Sequence, residues 1–321
     1  MATWRDVIEG AERASCETSP ALPFLQSLPD RAVSLVMFSP HYEDQRTYGA
    51  GIKVRGQAWV DELRPIVAEA ARVSAGLVVV NAAGPVRDRS YSPTMEWLVA
   101  DLTRLDGLVC GPAPWAWHKV CGIPGSGGKD YQRRDWEPLY AFCLPDRLPL
   151  AWSDNTAFGS PPKCGPGGEM SNRNKDGSRV NGGRRAAVLA NSPGTNRRAG
   201  GSRRMTAPTS APAGDFTHRD ATPPVIANPG NVIRARVGGS HLGHALAHEN
   251  EAPMNLAIAE RFVCWYCPPD GIVADCFSGS GTTCHASVMH GRRFIGCDLR
   301  QSQVDLCARR LRTVTPNLVP A

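Results

Sequence analysis

Apolar residues along this chain fall into short blocks of two kinds, and their alternation predicts strands interleaved with helices. Val33-Ser34-Leu35-Val36-Met37-Phe38 is a compact apolar run, right in length and composition for a buried strand, and it stops abruptly at Ser39-Pro40-His41-Tyr42. From Trp59 to about Ser74 the pattern changes: Val60, Leu63, Val67 and Ala71 recur at helical spacing. A second run, Leu77 to Ala82, predicts another strand, and Pro93 to about Leu105 predicts a third helix. After His241 a helix is expected over Asn255 to Cys267, then a strand over Gly271 to Phe277 and a glycine-rich turn. A helix from about Thr282 to Met289 leads into a strand over Arg293 to Asp298. The last helix carries Val304, Cys307, Ala308 and Leu311 at i, i+3, i+4 and i+7. Strand, turn, helix and strand form a βαβ unit, and such units build parallel sheets.

Between about Trp152 and Ser240 neither periodicity holds. Gly, Pro, Asn, Ser, Thr and Arg dominate, and no aromatic residue occurs between Lys163 and Arg204. Such a segment is unlikely to build its own core, and it reads as a linker, as an insert that orders on nucleic acid, or as both. Three parts follow: 1–150, 151–240 and 241–321.

Composition sharpens this division. The formal net charge is +6, yet ten Lys/Arg against two acidic residues lie between Lys163 and Arg204, which leaves the remainder slightly acidic. Positive charge concentrated in one segment suits a polyanionic partner. The pairs Arg184-Arg185, Arg197-Arg198 and Arg203-Arg204 are the candidate phosphate contacts, with a solvated loop as the plainer alternative. No run of eighteen apolar residues predicts a membrane span, and the first residues lack a secretory pattern. Eleven cysteines in that setting read as reduced thiols in a cytoplasm.

Two motifs carry chemistry. In Asp275-Cys276-Phe277-Ser278-Gly279-Ser280-Gly281-Thr282, glycines at a strand-to-helix turn allow close backbone approach to a ligand, and the helix beyond presents free N–H groups. Asp298, at the end of the next strand, is placed to accept ribose hydroxyls. A third glycine and a phosphate-loop lysine are both missing, which favours a nucleoside cofactor without a pyrophosphate. The second motif is Ser39-Pro40-His41-Tyr42, at the carboxyl end of a strand, where open α/β sheets bind ligands. Its serine hydroxyl, proline carbonyl and aromatic ring fit a planar base with an exocyclic amine; alone, such a tetrapeptide is more often just a surface turn.

Together, in this order, the motifs resemble the permuted β-group of bacterial and phage DNA amino-methyltransferases. In that family a Ser/Asp-Pro-Pro-Tyr motif comes first, a recognition region lies in the middle and Asp-Pro-Phe-x-Gly-Ser-Gly-Thr comes last. Further family-like segments are Leu28-Pro29-Asp30, Trp117-His118-Lys119, Arg134-Asp135-Trp136-Glu137 and Glu251-Ala252-Pro253-Met254. The resemblance covers about 1–145 and 241–313. It implies an α/β, Rossmann-like S-adenosylmethionine-dependent fold with a mostly parallel sheet and a loop-rich middle insert. It assigns catalysis to Ser39, Pro40, His41 and Tyr42. Cofactor binding falls to Pro253, Asp275, Phe277, Ser278, Gly279, Ser280, Gly281, Thr282 and Asp298, with Asp275 near the methionine amino group.

The implied activity is methyl transfer to an exocyclic amine of a base flipped from double-stranded DNA. Serine in the first catalytic position goes mostly with cytosine N4 in that family and aspartate mostly with adenine N6, so Ser39 points to cytosine N4. His41 and Cys276 stand where the family has prolines. A DNA-binding module that lost catalysis through His41 is the alternative of another class, and an RNA or protein-glutamine methyltransferase would place its motifs in the opposite order. The family admits a cognate restriction endonuclease and a homodimer as partners, in a bacterial or phage-infected cytoplasm. No metal is expected. His241, His244 and His248 lack a completing ligand, and Cys264 and Cys267 lie on an apolar helix without a partner pair.

Overall fold

The computed structural model describes residues 2–43, 53–111, 114–120, 134–154, 230–237 and 242–314. All of them fall in one unit made of 1–158 and 229–321. The chain runs through α1 (Trp4–Ile8), β1 (Ala14–Thr18), α2 (Ala21–Ser27), β2 (Val33–Phe38), α3 (Gln57–Val73) and β3 (Ser74–Asn81). A small hairpin, β4 (Val86–Arg87) with β5 (Ser90–Tyr91), precedes α4 (Thr94–Arg104), β6 (Val109–Cys110), β7 (Trp115–Lys119) and β8 (Trp136–Cys143). Then come β9 (Val232–Ala235), α5 (Leu256–Tyr266), β10 (Ile272–Asp275), α6 (Thr282–Met289), β11 (Arg293–Asp298) and α7 (Gln301–Leu311).

The main sheet has the order β1-β11-β10-β2-β3-β8-β7-β9, with β6 also on β8. From β1 to β3 every pairing is parallel; β8 enters antiparallel against β3, and β9 lies parallel to β7. The apolar run of β2, broken only at Ser34, follows from burial on both faces. Val36 and Phe38 pack into a core closed by α2, α3 and α4, while Leu35 and Met37 face a second core closed by α5. Each such buried side chain contributes about 1.5–3 kcal/mol, which sets the register of the strand firmly.

The expected strands at Val33–Phe38 and Arg293–Asp298 and the helix Thr282–Met289 are present with those limits. The helix expected from Trp59 begins two residues earlier and passes without a loop into β3, whose first residue is Ser74. One departure is β9, inside the stretch read above as lacking any periodicity. Its four residues alternate exposed and buried, too short a signal to stand out from the polar sequence around them, and they pair with Ala116–Lys119 of β7.

Candidate active site

The permuted motif order becomes a spatial neighbourhood at the centre of the sheet. β2 and β10 are parallel neighbours with Leu35 opposite Val273 and Val36 opposite Ala274. Parallel strands end on the same edge, so Ser39 and Cys276 leave the sheet side by side although 237 positions separate them. β11 ends beside β10, and β1 ends beside β11 with Thr18 opposite Asp298. The four strand ends open onto a cavity of 340 Å³, lined from all of them by Pro20–Pro23, Ser39, His41, Asp275–Ser280, Thr282 and Asp298–Arg300. Glu62 and Ile66 of α3 and Asn250, Ala252 and Met254 complete the wall.

The glycine turn is fastened on every side. The Ser278 hydroxyl donates to the Asp275 carbonyl at 2.9 Å, and the Ser278 amide to the Cys297 carbonyl at 2.9 Å. The Gly279 amide donates to Asp298 Oδ2 at 2.9 Å, while Asp298 Oδ1 accepts the Arg300 amide at 3.0 Å. Gly281 caps α6 in the left-handed region at φ +74°, which only glycine adopts cheaply. Behind the turn lies Arg310, fully buried, donating to Thr282 Oγ1 at 2.9 Å. Burial pulls its guanidinium down to about 10, and burial together with that neighbouring cation presses His285 to about 4, so the imidazole beside it stays neutral.

Asp275 is 3% exposed, and its Oδ1 accepts the Phe277 amide at 2.9 Å. Burial drives its carboxyl up to about 7; the hydrogen bond from the Phe277 amide and the nearby Thr283 hydroxyl oppose the rise, and the charge of Asp298 adds to it. Among the described residues no cation pairs with this carboxyl to hold it ionised. Cys276, where the resemblance leads one to expect proline, is buried, and burial raises its thiol far enough to keep it protonated.

The tetrapeptide is held by three different elements. Ser39 Oγ donates to the Asn81 carbonyl at the end of β3 (3.0 Å), Trp59 Nε1 of α3 donates to the His41 carbonyl (2.9 Å), and the Tyr42 hydroxyl donates to Glu137 Oε2 of β8 (3.0 Å). The turn that lost a proline is thus pinned by hydrogen bonds from its surroundings. His41 is buried with Nε2 3.5 Å from Glu62 Oε1; burial lowers its pKa against the pull of Glu62, which leaves it neutral at pH 7. Phe277 bridges the two motifs, its ring centroid 5.4 Å from Phe38 and 6.2 Å from His41.

Of the residues singled out by sequence, Ser39, His41, Asp275, Phe277, Ser278, Gly279, Ser280, Thr282 and Asp298 line the cavity. Pro40, Tyr42, Pro253 and Gly281 do not, although Pro253 stands between two residues that do. Arg184, Arg185, Arg197, Arg198, Arg203, Arg204 and His241 lie outside the described residues. Sequence reading passed over Pro20–Pro23, Glu62, Asn250, Arg300 and Arg310. Only Arg310 carried a signal, as a charge one residue before the final apolar position of the last helix. His244 caps a short 3-10 helix, accepting from the Leu246 amide at 3.1 Å, and Cys264 and Cys267 are buried in and after α5. Among the described residues no three His, Cys, Asp or Glu side chains are grouped to hold a metal, and no helix is long and apolar enough to cross a membrane.

An open parallel sheet with this cavity at its carboxyl edge is the fold of S-adenosylmethionine-dependent methyltransferases. The chain is similar to the PvuII cytosine-N4-specific DNA methyltransferase, with a TM-score of 0.59 at 16% identity over 96% of this chain and 88% of that one. It is also similar to the DNA modification methylase TTHA0409 of Thermus thermophilus in complex with S-adenosyl-L-methionine, with a TM-score of 0.52 at 19% identity over 94% of each chain. Residues 227–309 match the DNA methylase family model for N6 and N4 methyltransferases. Over 227–309 the sequence is thus similar to the N6/N4 DNA methylases, and the two solved structures share its fold. No curated protein matches the sequence.

Proposed function

We propose that this protein transfers a methyl group from S-adenosylmethionine to the exocyclic N4 amine of a cytosine flipped out of double-stranded DNA. The observation that carries the proposal is the convergence of Ser39 and His41 with Asp275, Phe277 and Asp298 on one cavity. The charges around it decide the kind of cofactor. Among the described residues, Glu62, Asp275 and Asp298 face it against one constant cation, Arg300, so a pyrophosphate would meet three carboxyls, whereas a cationic ligand is welcomed. The volume falls within the ~300–1,000 Å³ usual for small-molecule sites. S-adenosylmethionine fits this donor set. Asp275 would take its ammonium group, Asp298 its ribose hydroxyls with the lone pairs the backbone leaves free, and Phe277 and Ile66 its apolar surface. When bound, it supplies an electrophilic methyl group carried on a positive sulfur.

The chain's own part is to hold the amine. Ser39 spends its proton on the Asn81 carbonyl, so its oxygen faces the cavity as an acceptor. With the Pro40 carbonyl it would accept both amine hydrogens, drawing the nitrogen toward sp³ geometry and freeing its lone pair from the ring. Tyr42 would stack on the base. The nitrogen sheds its proton to solvent after attack, so no strong general base is required, in keeping with a neutral, buried His41. On the same reading the six paired arginines of the middle segment neutralise phosphates.

The test is transfer of labelled methyl from S-adenosylmethionine to unmodified DNA, followed by nucleoside mass spectrometry. N4-methylcytosine is the expected product. Ser39→Ala should lower the rate by about 10- to 100-fold, the value of a hydrogen bond that strengthens as charge develops, with cofactor affinity unchanged. N6-methyladenine would overturn the assignment of the base. No methylated base on any DNA would reject catalysis and leave a DNA-binding protein.

A further inference from the structure

The catalytic tyrosine of the proposed site does not hang free at the mouth of the cavity; its hydroxyl reaches past the end of β3 to β8. Glu137 is in β8, two residues before Leu139, which pairs with Asn81 at the end of β3. It therefore stands just beyond the carboxyl edge, within reach of the loop that follows β2. Its Oε2 accepts the Tyr42 hydroxyl at 3.0 Å, and its Oε1 accepts Lys119 Nζ. The two charged side chains are only 13% and 15% exposed. Lys119 is itself steered by β7, its ammonium 5.0 Å from the ring centroid of Trp117, the residue directly opposite Glu137 in the ladder.

A carboxylate this shielded would be costly alone, and Lys119 balances its charge while occupying only one of its oxygens. The other oxygen remains for the phenol. The phenol oxygen lies on the long axis of the ring, so holding the hydroxyl fixes χ1 and with it where the ring sits, leaving only rotation about that axis. We propose that Glu137, charge-balanced by Lys119, is a positioning residue that sets where the Tyr42 ring lies against the flipped base. This rests on the methyltransferase reading for its purpose, but the pinning of the ring stands apart from it. The cofactor cavity contains none of the three residues, so their removal should leave cofactor binding alone.

The experiment compares Glu137→Gln, Tyr42→Phe and the double variant with the wild-type chain, using tyrosine labelled with ¹³C on the ring. The Tyr42 signal is identified by its disappearance in Tyr42→Phe. In Glu137→Gln it should shift and broaden as the ring samples other positions, while the remaining tyrosine signals stay in place and the Kd for S-adenosylmethionine stays within twofold of wild type. Methyl transfer should fall about tenfold to hundredfold in kcat in each single variant, as expected for a misplaced reacting group, and the double variant should be no slower than the slower single one. An unmoved Tyr42 signal, or additive losses in the double variant, would overturn the proposal. If the wild-type chain methylates no DNA, the failure belongs to the functional reading, and the Tyr42 signal still decides whether Glu137 holds the ring.

Discussion

The Asp275→Asn substitution should make the cofactor-free protein more stable and leave it nearly blind to its ligand. Asp275 is buried at the end of β10, and its carboxyl is lifted from the ordinary 3.8 to about 7. A raised folded-state value means the fold holds a proton that the unfolded chain gives up. The corresponding stability is present below pH 4 and is lost as pH rises toward 7, on the order of 4 kcal/mol across that window. The asparagine amide has no charge to desolvate and retains an oxygen for the Phe277 amide, so Asp275→Asn should raise Tm at pH 8 and flatten its pH dependence between 4 and 7. Binding moves the opposite way. An ammonium ligand recruits the ionised carboxylate, so wild-type affinity should be constant above pH 7 and fall toward tenfold per pH unit below it, with proton release on binding. Removing the charge should weaken binding at pH 8 by about 30- to 4,000-fold, the cost of unpairing a buried cation worth roughly 2–5 kcal/mol. Calorimetric titration in buffers of different ionisation enthalpy measures affinity and proton release together. A pH-independent wild-type Kd would show that Asp275 does not face the ammonium.

The residues of that site were legible for reasons that differ from strand to strand. β2 and β11 could be read because both faces of each are buried, which compresses their sequences into apolar runs bounded by a motif. β1 could not: Ala14-Ser15-Cys16-Glu17-Thr18 pairs, among the described residues, with β11 alone, only Ser15 of its five positions is fully buried, and nothing distinguishes it from a loop. With β1 unread, Pro20–Pro23 had no reason to be placed at the cavity. β7 and β8 mix Trp, Lys, Glu and Pro with their apolar residues, which blurs any strand pattern, so they were visible only as fragments resembling a family. Ser39 and Asp298 were found because strand ends are where motifs gather. Arg310 and Glu137 were hidden because a charge in a helix or strand is ordinarily read as solvated, and only the fold shows these two turned inward toward the motifs.

The glycine turn offers a test in which backbone strain and crowding are separated. Gly281 and Gly291 have nearly the same left-handed conformation, φ +74° and +71°, and either one replaced by alanine should incur about 1–3 kcal/mol of strain. Their surroundings differ. A Cβ on Gly291 meets nothing within 4 Å, whereas one on Gly281 would lie 2.5 Å from Cys307 Sγ and 3.1 Å from Cys307 Cα. The sulfur is able to turn away, but the Cα belongs to α7, which must retreat, at an overpacking cost of about 1–3 kcal/mol more. At roughly 2–4 °C per kcal/mol for a chain of this size, Gly281→Ala should melt about 2–12 °C below Gly291→Ala. The retreat of α7 carries Arg310 off Thr282 and loosens the turn that presents the Gly279 amide to Asp298, so S-adenosylmethionine binding should be lost in Gly281→Ala and kept in Gly291→Ala. Adding Cys307→Ala to Gly281→Ala removes the sulfur and leaves the backbone contact, so it should restore only part of the lost Tm and none of the binding. Full recovery of both would mean that the side chain, and not the close approach of α7, is what requires glycine there.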